Sequence, residues 1–440
     1  MSGPTKGSTP KVLLLYDVKV GSEMPALGTR AYGLAKVLED HADVTLAVLD
    51  AGEPPAVDVP CVTFKGHDAR ALAPHVRRAD VVVCQPPWPP IMRLLSRFPG
   101  RLIFDIYDPE LFPTLITFAG HRSRRLLTAL SVDRVLEAFR RGHHIICTNE
   151  RQRDMWIGAM IAERLLRSDV FDRDPSLRSV IDTVPIAIPP DPPERTGSGG
   201  PRERFPQIGP SDEILLWNGG IWDWYDPLTA IRAVHLLAER RPQVRLVFMA
   251  GTDVGHAQRA TREAHALARE LGLIERVVFF NDRWVPYADR ADWLLEAECG
   301  VVAAVEQLQL HFATATRLLD CLWAQVPIVC TRGEEFGEQV ERDDLGETAP
   351  AGDPVAFADA LERVLSRGRD AYSDRLARAA AARTWSAVAE PLVRYVTSGE
   401  LPPRLGRSLP ARLSARPSQR ARHIAHSVYA GAEVRIRGGR

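Results

Sequence analysis

The sequence contains no run of 18 consecutive apolar residues, so a membrane-spanning helix is not expected. Its first ten residues, MSGPTKGSTP, lack the apolar stretch of a secretory signal. Cysteine is scarce: Cys61, Cys84, Cys147, Cys299, Cys321 and Cys330 are scattered through apolar runs with no CxxC spacing. That excludes a disulfide framework and a zinc ribbon, and fits buried thiols in a reducing cytosol. None of the 12 histidines stands at metal-ligand spacing from a second His or Cys, so no metal site is expected. Net charge is absent too, with 56 basic and 56 acidic side chains, which leaves no global basic field for nucleic acid. Two phosphate-loop signatures are missing, GxxxxGK[ST] and a GxGxxG after a strand, and a dinucleotide dehydrogenase is thereby disfavoured.

What is present is a globular composition over 440 residues, 45 % apolar and 25 % charged, enough for two or three domains at about 150 residues each. Short β-branched runs alternate with segments of helical period, the pattern of βα units on a parallel sheet. In the first half the expected strands are Lys11–Asp17, Val44–Leu49, Val81–Cys84, Leu102–Tyr107, Ile145–Thr148 and Val180–Ile186, with a helix over Ala26–His41. Between Pro189 and Pro210, 11 of 22 positions are Pro or Gly, which can continue neither helix nor ladder. Beyond it strands are expected at Ile214–Trp217, Val244–Met249, Val277–Phe280, Val301–Ala304 and Pro327–Cys330. The reading is α/β, two doubly wound Rossmann-like domains facing a cleft. Residues 1–10 form a flexible N-terminus, 11–188 the first domain, 189–210 a linker, 211–398 the second domain and 399–440 a mobile tail. That tail is basic, with nine Arg against Glu433 from Leu401 onward, and either docks on anionic lipid or stays solvated.

Several segments can carry chemistry. Gly28, closing a loop that opens a helix followed by Arg30, suits an anion at a helix N-terminus or simply relieves a tight turn. Leu215–Pro227 ends a strand in Gly219 and Gly220 and then sets Trp222, Trp224 and Tyr225 around Asp223 and Asp226, a grouping suited to sugar hydroxyls and ring faces. For Asp226 the plainer role is a helix N-cap. Trp284 and Val285 after another strand suit a nucleobase or a core position. If a helix begins near Ala313, Thr314 and Thr316 lie at its N-terminus and Arg317 and Asp320 share a face. A diphosphate then meets helix amides and Arg317, and Asp320 accepts hydrogen bonds from ribose hydroxyls. The plainer alternative is an Arg317–Asp320 surface pair. In the first half, Asp105 and Asp108 at a strand end raise glycoside hydrolysis, although residues three apart there rarely flank one bond. His143 and His144 are expected to be structural, and Asn149 or Thr148 to cap a helix.

In combination, GGIWDWYDPL (219–228), WVPYADR (284–290), TRLLDCLWAQVPIV (316–329), GDPVAFADAL (352–361), IYDPE (106–110) and NERQRDMWIG (149–158) resemble the retaining GT-B glycosyltransferases of family 4. The resemblance spans about Lys11 to Val396. It implies a nucleotide-diphosphate-sugar donor held mainly by the second half, an acceptor held by the first, no cofactor and no metal. It places Asp320, seven positions before Pro327, at the family's ribose-binding acid, as Asp in place of Glu. Phe312 stands where a second acid is usual, which makes His311 the candidate for the sugar contact. Ile221, Asp226 and Pro227 stand where the family has its Arg and Lys, so the diphosphate charge passes to Arg317, the helix amides and Arg30. Asp108 or Tyr107 holds the sugar or acceptor hydroxyl. The expected activity is sugar transfer with retention to a glycan, lipid-linked or small-molecule acceptor, in the cytoplasm or peripherally at a membrane. The alternatives are a non-catalytic nucleotide-sugar-binding protein and the hydrolase of Asp105 and Asp108.

Overall fold

The computed structural model describes residues 9–52, 55, 57–249, 259–333 and 335–406. The chain forms two compact units, one reaching to Ile186 and resuming at Trp385, the other Ala187–Thr384.

The first unit contains β1 (Lys11–Leu15), β2 (Asp43–Leu49), β3 (Cys61–Phe64), β4 (Val81–Cys84), β5 (Arg101–Ile106), β6 (His144–Cys147) and β7 (Ile181–Thr183). They form one parallel sheet in the order β3-β2-β1-β4-β5-β6-β7. The β4 sequence VVVC and the β6 sequence HIIC are buried throughout, as strands covered on both faces must be. Strand order reverses between β1 and β4, which makes their carboxyl ends the natural ligand edge.

The second unit contains β8 (Glu213–Trp217), β9 (Val244–Phe248), β10 (Val278–Phe280), β11 (Cys299–Val302), β12 (Ile328–Thr331) and β13 (Gly346–Ala349), all parallel, in the order β10-β9-β8-β11-β12-β13. Its reversal lies between β8 and β11. The helix Pro227–Arg240 starts where Asp226 accepts the Thr229 N–H at 3.0 Å and Pro227, which has no N–H, needs no acceptor. It buries Ala230, Ile231, Val234 and Leu237 at helical spacing and packs against Pro354–Arg367, which Asp353 caps. Gly300 in β11 lets the helix Thr316–Trp323 lie close, because a Cβ there would stand 2.2 Å from Cys321 Sγ.

Two expected boundaries differ. The Pro/Gly-rich segment 189–210 packs on the second unit instead of hanging as a linker. Thr196 N–H and Ser198 N–H each donate to Asp292 at 3.0 Å, Arg202 pairs with Glu296 at 3.3 Å, and the Phe205 ring lies tilted against Phe279 at 5.3 Å. Side-chain partners satisfy the backbone that Pro and Gly keep out of ladders. The expected second domain, 211–398, loses its last residues to the first unit. Arg394 there pairs with Asp182 at 2.7 Å, and the Tyr395 ring stacks on His144 at 4.1 Å. The expected mobile N-terminus and tail lie mostly outside the described residues. Of the tail's described start, Leu405 is buried and donates its N–H to Gly142 O, and Arg404 donates to Ser96 O.

Candidate functional site

At the carboxyl end of β8 the chain turns through Asn218, Gly219 and Gly220. Gly219 takes φ +109°, a conformation an L side chain resists. The Asn218 amide donates to Arg317 O at 2.7 Å, which ties this turn to the helix Thr316–Trp323. That helix starts at Thr316 rather than Ala313, because Leu308–Phe312 forms a separate short helix and Ala313–Ala315 leads out of it. Ala315 is its N-cap and provides no side-chain acceptor. Arg317, only 7 % exposed, reaches over the turn: Nη2 donates to Gly220 O at 2.7 Å, and the guanidinium lies 4.0 Å from the Tyr225 ring and 5.4 Å from Trp217. Its buried Nη1 has no hydrogen-bond partner. A buried guanidinium N–H without an acceptor, beside an uncapped helix N-terminus, suits an anion with several oxygens. Thr314 and Thr316 are half-buried at the same place.

Asp320, one turn further, does not pair with Arg317. It accepts from Arg290 Nε at 3.3 Å, and its side chain remains 34 % exposed. Lost solvation pushes the Asp320 carboxyl up while Arg290 pulls it down. Arg290 is clamped 3.5 Å from the Tyr287 ring and 4.2 Å from Trp323. Nearby, Trp284 and Val285 line an open depression of about 410 Å³ with Arg204, Asn281, Arg283 and Trp293. Trp284 is half-buried and Val285 buried. His311 is exposed on the separate helix Leu308–Phe312, edge-on to Phe312.

The aromatic cluster after β8 is only partly what the sequence suggests. Trp222 stacks flat on Trp224 at 5.4 Å, beside Gly220. Asp223, expected at the donor, accepts the Ala260 N–H at 2.9 Å, and thus spends one carboxylate oxygen on the first turn of the helix Arg259–Glu270. Asp226 is the N-cap already described.

In the first unit Arg30 corrects an expectation. It is fully buried, its guanidinium held by Asp105 through Nε at 2.7 Å and Nη2 at 2.9 Å, with Nη1 donating to Val184 O at 2.9 Å. Tyr16 OH donates to the same carboxylate at 2.6 Å. Burial opposes the Arg30 charge, yet Asp105 holds its pKa above the usual value. A cation this enclosed is out of reach of a diphosphate. The hydrolase pair fails for the same reason, since Asp105 is fully buried and consumed by Arg30 and Tyr16. Gly28 fits the plainer role: a Cβ there would stand 2.5 Å from Lys19 O, so the residue answers to a tight turn.

Asp108 is different. It follows β5, its Oδ1 is buried with no hydrogen-bond partner, and burial, with Glu110 beside it, pushes its carboxyl up to about 7. Tyr107 is half-buried with its ring 5.9 Å from the Arg30 guanidinium. Arg134 braces this edge, pairing with Glu110 at 3.0 Å and lying 4.5 Å from the Trp88 ring. A carboxyl near neutrality beyond the carboxyl end of an interior strand can take or return a hydroxyl proton.

The structure thus brings Gly219, Gly220, Arg317 and Asp320 together and sets Arg30, Asp105 and Gly28 in the first unit's interior. Sequence reasoning missed Arg290, although WVPYADR places it three residues after Tyr287, the spacing of one helical turn. It also missed Asn218 and Tyr225 as the fixtures of Arg317. Among the described residues, no group of three or more His, Cys, Asp or Glu is placed to hold a metal, and no helix is long and apolar enough to cross a membrane.

No curated protein matches this chain. Solved structures resemble it over most of its length. Sucrose-phosphate synthase from Thermosynechococcus elongatus matches with a TM-score of 0.60 at 14 % identity, covering 87 % of this chain and 97 % of that one. HepE of Anabaena, crystallised with UDP and glucose, matches with a TM-score of 0.64 at 13 % identity, covering 89 % and 100 %. The α,α-trehalose 6-phosphate synthase of Burkholderia multivorans matches with a TM-score of 0.62 at 14 % identity, covering 88 % and 98 %. At these identities the likeness concerns the fold, two parallel-sheet α/β domains of the GT-B kind. Residues 212–367, which hold Gly219, Gly220, Arg317 and Asp320, match the family model of Glycosyl transferases group 1.

Proposed function

We propose that this protein is a glycosyltransferase that moves a sugar from a nucleotide-diphosphate-sugar donor to an acceptor hydroxyl, with retention of anomeric configuration. The observation that carries the reading is the unpartnered, buried Nη1 of Arg317 at an uncapped helix N-terminus, one turn before a half-exposed acid. Arg317 and the first amides of that helix bind the diphosphate and stabilise the charge that grows on it as the glycosidic bond breaks. Gly219 and Gly220 allow the sugar phosphate close to the backbone, and Asp320 accepts from the ribose hydroxyls. Trp284 and Val285 offer an apolar wall for the base. In the first unit, Asp108 receives the proton of the acceptor hydroxyl, a task its pKa near 7 suits. The group 1 match over residues 212–367 supports a nucleotide-sugar donor, as does the presence of UDP in crystals of the Anabaena structural neighbour.

The test is calorimetric titration of the full-length protein with UDP, GDP and ADP, followed by measurement of nucleotide release from the matching sugar donor. One nucleotide is expected to bind. Arg317→Ala is expected to lower its affinity by about tenfold or more, the worth of a charge-assisted hydrogen bond. Unchanged affinity in that variant would overturn the diphosphate assignment. Binding without nucleotide release in the presence of acceptor alcohols would favour a non-catalytic protein instead.

A further inference from the structure

We propose that Arg290 is the positioning residue of the donor site, which fixes the direction and charge of Asp320 for the vicinal hydroxyls of a ribose; this rests on the donor-site reading above. Arg290 opens the helix Arg290–Leu294 and is 6 % exposed. Its guanidinium lies 3.5 Å from the Tyr287 ring centroid and 4.2 Å from that of Trp323, so two aromatic rings fix its plane. Held so, it donates Nη1 to the Tyr287 carbonyl and Nε to Asp320 Oδ1 at 3.3 Å.

The pair is asymmetric. The cation is sealed, whereas the Asp320 side chain keeps 34 % of its surface. A carboxylate has about four acceptor positions, and Arg290 occupies one with a single N–H. A pair serving stability alone gains most when both members are enclosed and fully bonded, as Arg30 and Asp105 are. Here the open member is the one that can meet a diol.

The groups around Asp320 explain why Arg290 and not another cation performs this role. Arg317 lies on the same helix but directs Nη2 to Gly220 O. Burial and, in turn, the Asp320 charge push the Tyr287 phenol and the Cys321 thiol up, so both stay neutral beside it. The Asn218 amide contributes a neutral hydrogen bond. Burial raises the Asp320 carboxyl, and Arg290 is the largest influence opposing it. Without Arg290, Asp320 takes up a proton nearer neutrality and loses acceptor capacity, so ribose recognition weakens as pH falls.

The experiment titrates full-length protein with UDP, GDP and ADP and with their 2′-deoxy counterparts at pH 6, 7 and 8. The wild type is expected to prefer one ribonucleotide over its deoxy form by about tenfold, with a ratio that is flat across this range. In Arg290→Gln the ratio is expected to fall to within about twofold at pH 6 and to recover in part at pH 8. Asp320→Asn abolishes the preference at every pH. Arg290→Lys, which keeps the charge but not the stacked plane, lowers the ratio without adding pH dependence and also serves if the Gln variant fails to fold. A simple loss of fold stability would weaken ribo- and deoxynucleotides alike and leave the ratio intact. An undiminished, pH-independent ratio in Arg290→Gln, or in Arg290→Lys where the former does not fold, overturns the assignment. If the wild type binds a nucleotide but ignores the 2′-hydroxyl, the role of Arg290 is refuted while the donor site stands. If it binds none, the donor-site reading fails first and this one with it.

Discussion

Replacing Arg30 by Met separates an interior role from a donor-binding one. Arg30 and Asp105 are both fully buried and joined by two hydrogen bonds of 2.7 and 2.9 Å, with Tyr16 OH as the carboxylate's third partner. Arg30→Met keeps most of the volume and leaves Asp105 charged in the interior with Tyr16 alone. Breaking a buried pair in this way costs about 3–5 kcal/mol, chiefly the desolvation of the charge left behind. For a unit of about 150–250 residues each kcal/mol moves the melting temperature by about 2–4 °C, which gives a fall of roughly 6–20 °C. Scanning calorimetry is the assay. The first unit's transition should drop while that of the second, whose core is separate, holds its place. The second change Asp105→Leu should recover much of the loss, because two apolar residues can replace a buried pair. Nucleotide affinity below the lowered transition should match the wild type. Should Arg30→Met melt normally and lose nucleotide, the guanidinium is a ligand after all and the burial argument is wrong.

Asp108 carries a second prediction. Its folded pKa of about 7 lies above the ordinary carboxylate value, so the folded state keeps a proton that the unfolded chain releases. The contribution of this group to stability is therefore fully present at low pH and fades as pH rises from about 4 through 7. Asp108→Asn should flatten that slope in melting curves taken between pH 4 and 8. The same variant should remove the rise in the rate of nucleotide release across pH 7, and a rate profile unchanged from wild type would dismiss Asp108 as the proton acceptor. A third prediction concerns residues 407–440, whose eight Arg against one Glu imply attraction to anionic lipid at roughly 1 kcal/mol per basic residue near the surface. Full-length protein should sediment with phosphatidylglycerol vesicles at least tenfold better than a chain ending at Gly406, with little difference on neutral vesicles. Equal sedimentation of the two would leave the tail as a solvated appendage.

The βα alternation was legible because it depends on local pattern. Strands such as β4 and β6 are short apolar runs that only a doubly covered sheet can bury. Two edge strands went unread, β3 with sequence CVTF and β13 with sequence GETA, since four residues with polar or small members interleaved give no apolar run to read. The capping roles of Asn149 and Asp226 were also readable, because a cap is settled within four residues.

The partners of the charged residues were not readable. Arg30 and Arg317 both follow a turn near a helix start, and nothing nearby in the sequence distinguishes them. One is enclosed because Asp105, 75 residues away, meets it, and the other keeps a free N–H because Gly220, 97 residues away, offers a single carbonyl. The place of Asp320 on its helix was readable by spacing, but the Arg290 that pairs with it comes from a different loop, 30 residues earlier. Local sequence thus determined most of the strands, the caps at Asn149 and Asp226, and the approximate halves of this protein. Tertiary structure decided which charges are spent on one another and which remain for a ligand, because a buried charge takes its meaning from whatever the fold sets within a few ångströms of it.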